Sequence, residues 1–201
     1  MKLLLIILLG YVIGSVPFAL VVGKVFYHTD VRQHGSKNLG GGNTGRVLGK
    51  KAGLAVMTLD ILKVTLVAGL ATWLVGGETA VCLGGLAAAT GHCFPLFAHF
   101  RGGKAMATMY GFLFGIFLFA GHSLLVFLFP LAVFLLVLYL TKIIALASIT
   151  SAAAVTVFVF LTTRSLPVTA TLLAFTLLIL IRHRKNIERI LQHRENKITW
   201  M

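Results

Sequence analysis

Gly91-His92-Cys93-Phe94-Pro95-Leu96-Phe97-Ala98-His99-Phe100-Arg101-Gly102-Gly103-Lys104 leads out of one apolar stretch, 79–98, and up to the start of another, 105–121. Both stretches read as membrane helices. A Gly-Gly-Lys loop exposes backbone N–H groups beside an ammonium, an arrangement by which proteins hold phosphate. Placed at a membrane edge, it points to an enzyme or carrier for a phosphorylated small molecule, working where lipid meets water.

Working outward, the apolar runs repeat. A spanning helix needs about 20 mostly apolar residues. The chain offers candidates at 3–23, 54–75, 79–98, 105–121, 123–141, 143–162 and 166–182. The runs are too long and too unalternating for barrel strands, which need a period of two. Hydrophobic residues make up 58% of the sequence and charged residues 11%, whereas a soluble domain carries about 25% charged residues. The predicted fold is therefore all-α and integral to the membrane, one domain over 1–201 with seven transmembrane helices. Gly14-Ser15-Val16-Pro17-Phe18 interrupts the first run, and no soluble domain follows it. That argues for a retained first helix and against a cleaved signal.

The net charge of +13 is concentrated in short connections. Lys24, Arg32, Lys37, Arg46, Lys50 and Lys51 fall on one side, with Arg101, Lys104, Lys142 and the basic tail from Arg182; Lys2 and Arg164 fall on the other. This asymmetry predicts an extracellular N-terminus and a cytoplasmic C-terminus. It also accounts for the basicity without nucleic acid, for which no soluble domain remains. Cys82 and Cys93 lie in apolar stretches and build neither a disulfide framework nor a zinc site. Gly10-x-x-x-Gly14 and Gly111-x-x-x-Gly115 are spaced for close helix packing.

One polar loop, roughly 24–53, contains Gly35-Ser36-Lys37-Asn38-Leu39-Gly40-Gly41-Gly42-Asn43-Thr44-Gly45-Arg46. So much glycine argues against a stable helix and allows close backbone approach to a ligand. Arg46 at its end is suited to a bidentate grip on phosphate or serves as a positive-inside charge. Lys104 supplies a compact cation. His183 and Asn186, three apart, are read on one helical face at the cytoplasmic end of the last span. Ser148, inside the sixth span, is expected from position alone to bond its own i−4 carbonyl. Asp60 and Lys63, i,i+3 within the second span, form a mutual ion pair or touch substrate. His92 reads as a packing residue, and Pro95 ends or kinks its helix. The histidines show no metal-ligand spacing, and Asp and Glu are too sparse for a hard-cation cage. There are no paired carboxylates, no Gly-x-Ser-x-Gly and no His followed by Asp five residues on.

With these residues in place the chain resembles the bacterial membrane glycerol-3-phosphate acyltransferases that use acyl-phosphate as donor. The resemblance runs through Gly14-Ser15-Val16-Pro17-Phe18, Asp30 to Gly40, Asn43, Arg46 to Gly53, and Asp60 with Lys63. It continues through Gly91 to Pro95, Gly102-Gly103-Lys104, Ala107-Thr108, Ala147-Ser148 and Arg182-His183-Arg184-Lys185-Asn186-Ile187. It implies seven helices in a bacterial cell membrane and a cytoplasmic site. It implies acyl transfer from acyl-phosphate to the 1-hydroxyl of glycerol 3-phosphate, giving lysophosphatidate and phosphate, the first step of phospholipid synthesis. By position, the catalytic set carries over to Ser36, Arg46, Lys104, Ser148, His183 and Asn186. The substrate-binding set is Asn38, Gly40, Asn43, Gly102, Gly103 and Thr108. Implied partners are the two substrates and membrane lipid, with no cofactor, metal or nucleic acid. The chain departs from the family's pattern at Lys37 and Ala105, where the family has glycine, and at Gly41, Gly42 and Met106.

An acyl-phosphate is already activated, so the expected work is to hold two anions together and orient a hydroxyl. The hydroxyl proton goes to the donor phosphate or to His183. An organic-phosphate transporter and a non-catalytic paralogue are the competing classes; the first predicts inverted halves, and no such symmetry is present in the sequence.

Overall fold

The computed structural model describes residues 1–198 and is helical throughout its regular structure. The first run splits as its Gly-Ser-Val-Pro interruption suggests. Helix α1 (Lys2–Gly14) gives way at Ser15, whose hydroxyl donates to Tyr11 O, and α2 (Phe18–Tyr27) restarts after Pro17. Four elements are long and apolar enough to cross a membrane: Lys2–Tyr27 taken through the break, α4 (Lys50–Leu74), α5 (Glu78–Cys93) continued to Ala98, and α8 (Ile144–Thr162). A fifth qualifies if α9 (Leu166–Arg182) and α10 (Arg184–Leu191) are taken together across their 62° bend. Helices α6 (Met106–Phe119) and α7 (Leu125–Thr141) are shorter, with 14 and 17 residues. At about 1.5 Å per residue they reach less far than the roughly 30 Å apolar core of a bilayer.

The 24–53 segment departs from the expected glycine-rich loop. It is irregular only over 28–40, apart from a single 3-10 turn at Val31–Gln33. Helix α3 (Gly41–Leu48) then forms, and α4 starts directly after Gly49. Packing overrides the low propensity of glycine here. A Cβ on Gly41 would sit 2.7 Å from Gly53 O, and one on Gly53 would sit 2.6 Å from Gly45 Cα. Tight apposition of α3 to α4 needs those glycines and holds α3 helical. Lys37 and Ala105, the two departures from family glycine, both adopt left-handed backbone, with φ 58° and 62°.

The small-x-x-x-small pairs act as helix contacts. Added Cβ atoms on Gly10 and Gly14 would strike the α5 backbone at Gly84 and Ala88, and one on Gly115 would lie 2.5 Å from Ala68 Cβ on α4. Phe112 and Phe175 stack at 5.3 Å in the main apolar core, joining α6 to α9. Large apolar side chains such as Leu66, Trp73, Leu136, Phe160 and Leu177 face outward. Apolar area this extensive on the outer face suits a lipid environment. At the end away from the basic loops, Glu78 bonds His122 at 2.5 Å and Ser165 at 2.6 Å, tying α5, the α6–α7 turn and α9.

Candidate active site

Four segments meet at the other end: α3, the hairpin between α5 and α6, the α9–α10 bend, and the C-terminal tail. Pro95 and the capping bond from Phe94 N to Thr90 O stop α5. The chain then doubles back so that Gly102 N donates to Cys93 O at 3.2 Å and Gly103 N to His92 O at 3.0 Å. This corrects the expectation that the Gly-Gly-Lys backbone cradles an anion, because both glycine N–H groups cap α5. The glycines are there for space. A Cβ on Gly102 would meet His92 O and, at 2.5 Å, Pro95 Cδ; one on Gly103 would run into the His92 ring. From the far side Arg182 donates through Nε to Gly103 O (2.9 Å) and through Nη2 to Gly102 O (2.8 Å), its guanidinium lying over the Phe94 ring.

What this leaves for an anion is Lys104 and the start of α6, where Ala105 provides no side-chain cap. Uncapped N–H groups at a helix start favour negative charge. The Lys104 ammonium donates to Asn186 Oδ1 at 2.6 Å. Asn186 Nδ2 donates to Glu195 Oε1 at 2.9 Å, and Arg189 holds the other carboxylate oxygen at 2.7 Å. Burial pulls the Lys104 pKa down to about 8; Glu195 opposes that shift, while the charges of Arg189, Arg182 and Arg46 add to it. Arg46, on the last turn of α3, is therefore within electrostatic reach of Lys104.

His183 sits at the α9–α10 bend and not on a continuous helical face with Asn186. Helix α9 ends before it, and Asn186 N donates to its carbonyl. A carbonyl only accepts, so Nδ1, 2.9 Å from Ile179 O, carries the proton and Nε2 keeps its lone pair. Burial, followed by the Lys104 charge, pulls its pKa down to about 4, so the imidazole is neutral at neutral pH.

Asn43 is buried and fully engaged within its own segment. Its Oδ1 accepts from Ser36 N (2.7 Å) and Ser36 Oγ (3.1 Å), and its Nδ2 donates to Val31 O and His34 O. It shapes the loop that presents the exposed Ser36. Gly40 O accepts from both Thr44 N and Thr44 Oγ1, and a Cβ on Gly40 would approach Asn38 Nδ2 at 3.1 Å. Thr108 is buried with its hydroxyl on Ala105 O, fixing the start of α6. Ser148 donates to Ile144 O at 2.8 Å, the i−4 carbonyl its position predicts. Lys104, His183, Asn186, Gly102 and Gly103 thus form one cluster with Arg46 near it. No hydrogen bond among the described residues joins Ser36, Asn38, Asn43 or Ser148 to that cluster.

Sequence reasoning passed over Arg182 and Glu195 as site residues. The signal for Glu195 was rarity: the chain has five acidic residues, and one in a basic tail needs a partner. Arg182 read as a positive-inside charge, and only tertiary structure shows its carbonyl partners.

These features define a helical membrane protein with a cluster of basic side chains, Lys104, Arg182 and Arg189 with Arg46 near them, gathered at one end of the bundle. The model of the glycerol-3-phosphate acyltransferase family matches residues 4–193, and the chain belongs to that family. It is 46% identical to the glycerol-3-phosphate acyltransferase of Geobacillus kaustophilus over 98% of this chain and 96% of that one. It is 44% identical to that of Streptococcus thermophilus over 98% and 94%. Among solved structures it is similar to PlsY, an integral membrane glycerol 3-phosphate acyltransferase, in its glycerol 3-phosphate form. There the TM-score is 0.91 at 34% identity, covering 99% of this chain and 96% of the other. The lysophosphatidic acid form matches with a TM-score of 0.89.

Proposed function

We propose that this chain transfers an acyl group from acyl-phosphate to the 1-hydroxyl of glycerol 3-phosphate, releasing lysophosphatidate and inorganic phosphate. The observation that carries the reading is the Lys104–Asn186 contact beside a neutral His183, with the Arg46 charge close by. Two phosphate-bearing reactants repel each other, and clustered, partly desolvated cations offset that repulsion and stabilise the departing phosphate. Family membership supports the same reaction.

In the step itself the hydroxyl oxygen bonds to the acyl carbon, the acyl carbon–phosphate oxygen bond breaks, and the hydroxyl proton ends on the phosphate. His183 is held near a pKa of 4. It is a weak base, and its Nε2 serves to accept the hydroxyl's hydrogen bond and aim it. Arg46 and the first turn of α6 contribute further donors, Ser36 and Ser148 join them when their hydroxyls turn from Asn43 Oδ1 and Ile144 O toward substrate, and Asn38 and Asn43 support the loop. The acyl chain enters from the bilayer, and glycerol 3-phosphate arrives from the cytoplasm along the basic rim. This reading has the split first helix, α4, α5, α6, α7, α8 and α9 as seven spans in a bacterial cell membrane. The N-terminus lies outside, and the site and C-terminus lie on the cytoplasmic side, as the distribution of Lys and Arg supports.

The test is purified protein in detergent with palmitoyl-phosphate and labelled glycerol 3-phosphate. Labelled lysophosphatidate in stoichiometry with phosphate is the expected result. Failure to form it, with label instead crossing proteoliposome membranes, would replace the enzyme reading with a transporter.

A further inference from the structure

Deep in the bundle, three ionisable side chains converge. Lys63 Nζ lies 2.6 Å from Asp60 Oδ1, 3.1 Å from His92 Nδ1 and 3.1 Å from Val16 O. All three side chains are at least nine-tenths buried. Charges in a membrane interior are costly, and their presence usually marks a functional demand. The contacts say what that demand is.

Val16 belongs to the break between α1 and α2, and its carbonyl is left outside the helical ladder there. Helix α2 runs from that break directly into the segment that carries Ser36, Asn43 and Arg46. His92 lies in the last turn of α5. Its carbonyl accepts Gly103 N, and its Nε2 edge is the surface that forbids a side chain at Gly103. His92 Nδ1 faces both Lys63 Nζ at 3.1 Å and Asp60 Oδ1 at 3.4 Å, so the Lys63–Asp60 pair holds the ring in either tautomer, with its Nε2 edge toward the hairpin. One ammonium therefore binds both the root of the Ser36–Arg46 segment and the residue on which the Lys104 hairpin rests. Asp60 supplies the opposite charge, and the Phe18 ring, 5.6 Å away, lines the remaining side of the cation.

We propose that Lys63 is a positioning residue for acyl transfer, a buried hub that fixes the Gly102–Lys104 hairpin, through His92, against the break that roots the Ser36–Arg46 segment. The inference rests on the acyltransferase reading above, since it is that reaction which needs the two anion-facing segments in register. A small misplacement of binding groups is enough to cost catalysis heavily. A hub that served only to hold the bundle together would be replaceable by apolar residues, because well-packed hydrophobic substitutes for a buried ion pair are often neutral or stabilising.

The experiment is the paired replacement Asp60→Leu with Lys63→Met, which removes both charges together, assayed alongside the unsubstituted chain. The melting temperature in detergent should be retained, while KM for glycerol 3-phosphate rises about tenfold or more, with a smaller change in kcat. Adding His92→Leu to the pair should raise KM little further, because residues acting through one contact chain are non-additive. A folded pair variant with unchanged KM and kcat overturns the proposal, as does a triple variant whose effect is the product of the two. If the pair variant cannot be recovered folded, His92→Leu alone carries the test, with a raised KM at retained melting temperature supporting it and an unchanged KM overturning it. An unsubstituted chain that makes no lysophosphatidate refutes the underlying reaction instead, so the two failures are distinguishable.

Discussion

Lys104 and Asn186, 82 residues apart in sequence, meet at 2.6 Å between ammonium and amide oxygen. The amide's other end donates to Glu195, whose second carboxylate oxygen Arg189 holds, so Asn186 stands between the ammonium and that carboxylate. Removing the spacer with Asn186→Ala lets Glu195 draw the ammonium away from an incoming phosphate. The expected outcome is a loss of about 10²–10³-fold in kcat/KM, the scale seen when one preorganised donor is removed. Steady-state assays with glycerol 3-phosphate varied would measure it. Retention of more than half the activity would remove the contact from the mechanism.

The pH dependence follows from the same cluster. The Lys104 pKa is lowered from 10.5 to about 8, so the residue is charged below that value and loses its proton as pH rises through it. If the charged form binds the anion, kcat/KM falls above about pH 8 with the slope of one proton, since this parameter reports the free enzyme. Bound phosphate favours the ammonium, so the corresponding limb in kcat should lie at higher pH. His183, pulled down to about 4, is neutral through the assay range and contributes no limb near the ordinary histidine value of 6.5. Profiles from about pH 5 to about pH 10 test this; a limb near 6.5 that disappears in His183→Gln would make His183 the base.

The lengths and order of the apolar runs exposed the helical fold, because each run is its own signal; 166–182 coincides with α9. The Gly10–Gly14 and Gly111–Gly115 contacts were legible for the same local reason. Helix α3 was not, since local propensity opposes it and the deciding term is the approach of Gly41 and Gly45 to Gly53 on another helix. The site residues were visible as types but not as roles. Nothing local distinguishes a glycine N–H that faces an anion from one that caps the preceding helix, as Gly102 and Gly103 do. Asp60, Lys63 and His92 illustrate the reverse case. The i,i+3 spacing of the first two suits an ion pair or contact with substrate, and the structure pairs them, while His92 lies 29 residues beyond Lys63 and joins them only in three dimensions.

Lys37 and Ala105 carry side chains where the backbone is left-handed, with φ 58° and 62°. That conformation costs a residue bearing a Cβ about 1–2 kcal/mol, partly offset by the extra freedom glycine has when unfolded. Lys37 is exposed, so nothing else enters the balance, and Lys37→Gly should stabilise by about 0.5–1 kcal/mol. Ala105 is fully buried, and losing its methyl group forfeits about 0.8 kcal/mol. Ala105→Gly should therefore be close to neutral. Thermal denaturation of the two variants in one detergent decides the matter. Equal gains would mean that the buried methyl contributes nothing.

Gly103 and Gly42 make the sharpest contrast among the glycines. A Cβ at Gly103 collides with the His92 ring, whose position is set by Lys63, so the ring has no free rotamer to retreat into. Gly103→Ala must displace the hairpin, and with it Lys104, which predicts a loss of about 10²-fold in turnover. Gly42 lies within α3 and a Cβ there meets nothing within 4 Å. Gly42→Ala should instead stabilise the helix by about 0.5–1 kcal/mol, the usual gain from replacing an unconstrained helical glycine. Activity and melting temperature measured on both variants separate the two demands on glycine, because a steric requirement abolishes function at Gly103 while a merely tolerated glycine at Gly42 improves on replacement. Similar losses at both positions would mean that α3 itself moves during the reaction and that space above Gly42 is needed by the substrate.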